Sequence, residues 1–505
     1  MSESRGSSGA AMALSEASAA GPTATPPVLD GSDILTIVLA NDIFSLSLAL
    51  TELQGLFLVF RRARALLNSK LTRFRRWCLD AGLQCRPGHP LPVLILPSDM
   101  IAVAQHFDGR GTTERPWLVA LADRGHIAAS FILARILQAD LAAGKSTNNI
   151  AKGATQQQIF GLLESAANAN HPTAQFYLAE CYDRGDGVGQ DRTKAAELYQ
   201  KVADRGVPQA QVALGRCYER GEGVDQSYDT AIEWYSKAAD QGSEDGRIHI
   251  EFLRGWFSFI GHGVDQSDAD AFNRWQEVST RSSDTAVKHI ATHMVGWMHY
   301  HGRGTQLDKQ KGVKMIRDNK SDEFKLGEGE CLAVIWLPNS LSDAPAACRF
   351  FELCWLGYDQ DWLCRHLTAV CLIYGFGTTK NQMLGAQIFQ QLANEGHSDS
   401  QYWFGNCYFH GWGVAQDHSK MFQWSSKAAD QLNSYGQLGL GHCFVWGNGV
   451  PMDRTQAVEW FRKSAAQGNR YGQHNIGICY NNGWGVDRDL TAAISWYNKS
   501  SEQGF

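Results

Sequence analysis

Leu214-Gly215-Arg216-Cys217-Tyr218-Glu219-Arg220-Gly221-Glu222-Gly223-Val224 is the stretch on which the fold turns, and Ala231-Ile232-Glu233-Trp234-Tyr235-Ser236-Lys237-Ala238-Ala239-Asp240-Gln241-Gly242 is its companion. One copy earlier the same pattern begins with Pro172 at a first helical position, and apolar and small residues follow at helical spacing to Arg184. Gly185-Asp186-Gly187 then breaks the helix where positive φ is needed, and Asp191 is placed to cap a second helix over 192–204. The spacing predicts two antiparallel helices every 36 residues. Gln401, Gln437 and Gln473 keep this register, as do Cys371, Cys407, Cys443 and Cys479, and Trp424, Trp460 and Trp496.

A lone hairpin cannot bury its apolar face, so successive hairpins must stack. Ala179, Gly215, Gly255, Gly296, Ala369, Gly405, Gly441 and Gly477 share one place in the first helix of each unit. Glycine inside a helix costs roughly 1 kcal/mol against alanine, so its recurrence implies close helix approach there. The composition agrees: 50 Gly but only 13 Pro in 505 residues, with 44% hydrophobic side chains to fill a core. A formal net charge of −6 gives no reason to expect a nucleic-acid partner.

The two quoted stretches resemble the Sel1-like repeat family, relatives of the tetratricopeptide repeats with a longer inter-helix loop. The resemblance covers about residues 98–505 and is sharpest over 172–243 and 398–504. It implies an all-α, right-handed solenoid of about eleven hairpins: degenerate units over 98–171, repeats over 172–320, a divergent unit over 321–357 and repeats again over 358–505. The divergent unit has lost Gly-x-Gly while keeping its length and Gly357. By the same resemblance the chain is a non-catalytic scaffold or adaptor that binds other proteins. Two alternatives follow from relatives: a membrane-associated adaptor of endoplasmic-reticulum-type protein quality control, and a β-lactamase-like hydrolase.

Residues 1–30, rich in Ser, Ala, Gly and Pro, read as a disordered tail, and 31–97 as a short helical region. No secretory h-region precedes Pro27, which gives a cytoplasmic or nuclear expectation. Ile43–Phe60 is apolar apart from Glu52, Gln54 and a few small polar groups, and Arg61, Arg62, Arg64, Lys70, Arg73, Arg75 and Arg76 follow it. That order suits a membrane span or a basic surface resting on acidic lipid, although Glu52 opposes insertion.

Candidate chemistry is sparse. Cys181, Cys217, Cys371, Cys407, Cys443 and Cys479 form one column and read as buried free thiols. The secreted bacterial relatives pair such cysteines with partners in the second helix, where this chain has alanine. Cys348, Cys354, Cys364, His366 and Cys371 lack zinc-knuckle spacing. His289 and His293 are four apart, with His299 and His301 beyond, but their columns read as core, and no cofactor or metal is expected.

One position varies in a directional way. Between the paired glycines lie Asp186, Glu222, His262 and Arg303 in early units, then Phe376, Trp412, Asn448 and Trp484, with Trp446 just before Gly447. Phe376, Trp412, Trp446 and Trp484 are therefore the candidate protein-binding strip. The outward face of the last helix, near Ile494 and Tyr497, is expected to be exposed and offers a surface for self-association.

Overall fold

The computed structural model describes residues 61–81, 83, 97–104, 106–107, 115–144, 149–334 and 344–504. The expectations for the tail and for Ile43–Phe60 lie outside the described residues. Every regular element among those described is helical, and no helix among them is long and apolar enough to cross a membrane. The chain divides into two compact units, one ending at Ala169 and one beginning at Asn170.

In the first unit, helix Arg61–Asp80 presents Phe74 and Trp77 to Phe107 and Trp117, with ring centroids 5.4–6.2 Å apart. Arg75 and Arg76 of the basic segment lie on its exposed side. Helices Ile127–Ala142 and Asn149–Asn168 form a hairpin in the same unit.

The second unit is the solenoid. Complete hairpins run from Pro172 to Asp318 and again from Trp362 to Ser501. Each expected local signal has a partner. Asp191 caps its helix by accepting from the Lys194 backbone N–H at 3.0 Å, and Ser227, Asp308, Asp417 and Asp489 do the same in their units. Such a cap is worth about 1 kcal/mol. The glutamine column is a ladder between the two helices of a hairpin. Gln211, Gln401, Gln437 and Gln473 each accept from Gln241, Gln431, Gln467 and Gln503 at 2.8–2.9 Å. The tryptophan column is a row of cation–π contacts one helical turn long, with Lys427, Lys463 and Lys499 at 3.8–4.1 Å from the rings of Trp424, Trp460 and Trp496.

Two glycine roles explain the high glycine count. A Cβ at Gly215 would stand 2.6 Å from the Tyr235 ring, so the first helix can meet its partner only without a side chain. Gly223, the second glycine of its loop, lies against the Arg192 carbonyl at the start of the previous unit's second helix. The first of these couples the helices of one hairpin, and the second couples neighbouring hairpins.

At 319–334 the repeat gives way. Instead of a first helix, the chain runs as a strap through Phe324, Leu326, a single helical turn at Glu328–Cys331, and Leu332 to Val334, all buried. Helix Pro345–Leu356 then resumes the stack. Arg317 donates to the backbone oxygen of Gln503, 186 positions away. Four complete hairpins lie between them, and at roughly 8–10 Å per packed helix a straight row would hold them far apart. The row therefore curls until its last loop meets the unit preceding the strap.

Candidate protein-binding surface

The curl creates an inner face lined by first helices, and the divergent unit fills most of it. The strap is held by the repeats that follow it. The Glu328 carboxylate, 1% exposed, accepts from Tyr435 Oη at 2.8 Å and from Arg317 Nε at 2.8 Å, and it pairs with Arg470 at 2.9 Å. Trp403 Nε1 donates to the Cys331 carbonyl at 2.8 Å, and Tyr402 Oη to the Ala333 carbonyl at 3.1 Å. Two main-chain carbonyls are thus satisfied by side chains more than sixty positions away, and the carboxylate by Tyr435 and Arg470 from later repeats together with the nearby Arg317. Leaving them unpaired in this dry setting would cost several kcal/mol.

Helix Pro345–Leu356 fills the inner face of earlier repeats in the same way. Arg349, 3% exposed, pairs with Glu219 and covers the Phe252 ring at 4.5 Å. Tyr235 Oη donates to the other Glu219 oxygen at 2.7 Å, and the His249 ring stacks on Tyr235 at 4.8 Å. Burial, with Arg216 and Arg349 nearby, holds His249 neutral well below its usual range. Burial alone would raise the Asp284 carboxyl, but the Arg216 and Arg349 guanidiniums, with the Val287 backbone N–H, hold it well below the usual carboxylate range.

The expected strip of four exposed rings is corrected by this packing. Phe376 is fully buried, 5.3 Å from Phe324 of the strap. Trp412 is 8% exposed, stacked on His410 at 4.3 Å and edge-on to Tyr374 at 5.9 Å. Both loops turn their rings into the inner face because the strap and neighbouring helices offer apolar surface there. Trp446 is 64% exposed, and the half-buried Trp484 meets it edge-to-face at 6.0 Å beneath the Arg454 guanidinium. The strip reduces to that pair. On the last helix Ile494 is exposed as expected, but Tyr497 is half-buried, its ring against Gly477.

The other candidates occupy core places. His293 Nε2 accepts from Trp297 Nε1 at 3.0 Å, His289 bonds Asn319 at 2.9 Å, His299 packs edge-on to Phe272, and His301 stacks on Trp297. Burial pushes His293 and His366 down to about 3. The six column cysteines are buried, and burial pushes the Cys217 and Cys443 thiols up to about 12. Among the described residues no group of three His, Cys, Asp or Glu side chains is placed to hold a metal ion. Glu328 and Arg349 escaped the sequence reading because they stand outside the repeat's columns; the lost Gly-x-Gly of 321–357 was the available signal.

A curled stack of two-helix hairpins whose inner face holds main chain defines a helical-repeat protein. The chain belongs to the Sel1 repeat family, whose pattern matches residues 172–207, 208–243, 289–317, 363–397, 398–431, 434–469 and 470–505. Repeats of this family generally mediate contacts between proteins. Among solved structures, the chain is similar to a protective antigen of uropathogenic Escherichia coli with an SLR fold, at 24% identity over 80% of this chain and 86% of that one, TM-score 0.35. It is also similar to a Sel1 repeat protein from Oxalobacter formigenes, at 25% identity over 70% and 88%, TM-score 0.28. No curated protein matches the chain in sequence.

Proposed function

We propose that the chain is a non-catalytic adaptor that docks a partner protein on the edge formed by Trp446 and Trp484. The exposed Trp446 ring, braced by Trp484, carries the reading: a large, rigid aromatic surface in contact with water is what interface hot spots are made of. The buried, protonated thiols and neutral histidines support a structural role for the remaining reactive side chains.

Proximity labelling in the native cell tests it, comparing the wild-type chain with Trp446→Ser and Trp484→Ser variants. Each variant is expected to lose a shared set of labelled proteins while melting as the wild type does. An unchanged labelled set in both variants contradicts the reading.

A further inference from the structure

Among the described residues the strap fills the inner face as far as Val334, and a cleft opens beside it. A cleft of about 290 Å³ begins at Ala333 and Val334 and runs along helices Ser398–His410, Ser434–Trp446 and Arg470–Asn482. Its existence has a cause in the repeat. One unit earlier, the Trp412 ring lies against Tyr374, His410 and Trp403. One period of 36 residues further on, those neighbours are His410, Trp446 and Gly439, and the place of the ring itself is Asn448. All four line the cleft. The cleft therefore lies where the preceding repeat has the Trp412 ring and this one has Asn448; the Gly439 place is closed, since an added Cβ there would stand 3.1 Å from the Tyr402 ring.

We propose that this cleft docks an uncharged segment of a partner protein, which inserts an aromatic side chain where Asn448 omits one. The proposal rests on the adaptor reading and names the chemistry of what is bound. Three observations fix that chemistry. The face just before the cleft already holds main chain of the strap, through Trp403 and Tyr402 donating to the Cys331 and Ala333 carbonyls. No Asp, Glu, Lys or Arg lines it, so a charged side chain would enter without a counter-charge. Asn406 and Asn475 are anchored by one N–H each, to the Tyr402 and Tyr471 carbonyls at 2.9 and 2.8 Å, and each amide has a second N–H to offer a visiting carbonyl.

The test presents the full chain to a phage-displayed library of random dodecapeptides, and the selected sequences are measured as labelled peptides by fluorescence anisotropy. Selected peptides are expected to share a Trp, Tyr or Phe within an uncharged stretch. They are expected to bind Asn448→Trp at least tenfold more weakly, because that variant restores the missing ring. Asn448→Phe, copying the ring at Phe376, is the second variant, and both are expected to melt no lower than wild type. Peptides that bind the wild type and both variants equally, or that depend on a charged residue, overturn the proposal. So does a library that yields binders only after 335–343 is replaced by Gly and Ser, since the site then belongs to the chain's own segment. Trp484 lies outside the cleft, which separates the two readings. Peptide loss in Asn448→Trp with partners unchanged in Trp484→Ser retains the cleft and removes the edge. The reverse result removes the cleft and retains the edge.

Discussion

The Tyr435 hydroxyl donates a 2.8 Å hydrogen bond to the Glu328 carboxylate, 107 positions earlier in the chain and almost wholly buried. The same carboxylate meets Arg317 from the unit before it and Arg470 from the last repeat. One acidic side chain therefore ties three distant parts of the solenoid at a point where no repeat residue would stand.

Removing that charge leaves two guanidinium groups facing each other in a dry site. Glu328→Gln is expected to destabilise the C-terminal repeats by about 3–5 kcal/mol, the usual result of breaking a buried pair from one side. Amide hydrogen exchange in Ser434–Trp446 and Arg470–Asn482 checks it: both helices should lose protection, while Pro172–Arg184 keeps its own.

The Arg349–Glu219 pair tests the same principle at the other end of the strap. Arg349→Met alone is expected to cost about 3–5 kcal/mol because Glu219 is left buried beside Tyr235. Adding Glu219→Gln should return most of that loss, since the uncompensated charge goes with it. Urea midpoints of the two single variants and the double variant form the cycle, and additive losses would contradict the pairing.

Glycine should answer differently at different places. Gly215→Ala drives a methyl into the Tyr235 ring, which its bond to Glu219 holds in place, so a loss of about 1–3 kcal/mol is expected. Gly161 is helical and exposed, with nothing within 4 Å of an added Cβ. Gly161→Ala should stabilise helix Asn149–Asn168 by up to about 1 kcal/mol. Thermal unfolding of the two variants should move in opposite directions.

Stability should fall on mild acidification. Burial holds His293 and His366 near 3 in the folded chain, against 6.5 for an ordinary histidine. Between these values the unfolded state binds the additional protons, so stability is complete above about pH 6.5 and declines as pH falls. Each such group contributes a slope approaching about 1.4 kcal/mol per pH unit near pH 5, and the buried His249 and His301 add to it in the same direction. His366→Phe should lower the slope near pH 5 by about 1.4 kcal/mol per pH unit in urea titrations at successive pH values, whereas a flat profile between pH 6.5 and 5 would contradict the burial.

The periodic residues were readable because each performs a job that the repeat imposes on every unit. Asp191 caps, Gln401 bridges to Gln431, and Gly215 admits Tyr235; local chemistry settles all three. Phe376 and Trp412 were misplaced because their loops lie beside a surface supplied by residues 324–334, and a loop ring follows the nearest apolar cover. Nothing in the sequence around Trp412 announces that cover. Glu328 was illegible for the converse reason: its partners Tyr435 and Arg470 come together only after the row has curled. The divergence of 321–357 marked the place, but its meaning depends on long-range packing.

The separation of residues 314 and 502 tests most directly the claim that the strap curls the solenoid upon itself. Spin labels on ketone-bearing amino acids at these two exposed positions leave the buried thiols untouched, and pulsed electron resonance reads the distance. The contact of Arg317 with Gln503 sets the expectation: a single short distribution in the wild type that broadens and lengthens in Glu328→Gln. A wild-type separation near about 40 Å, as for a straight row of hairpins at helix-packing distance, would contradict it.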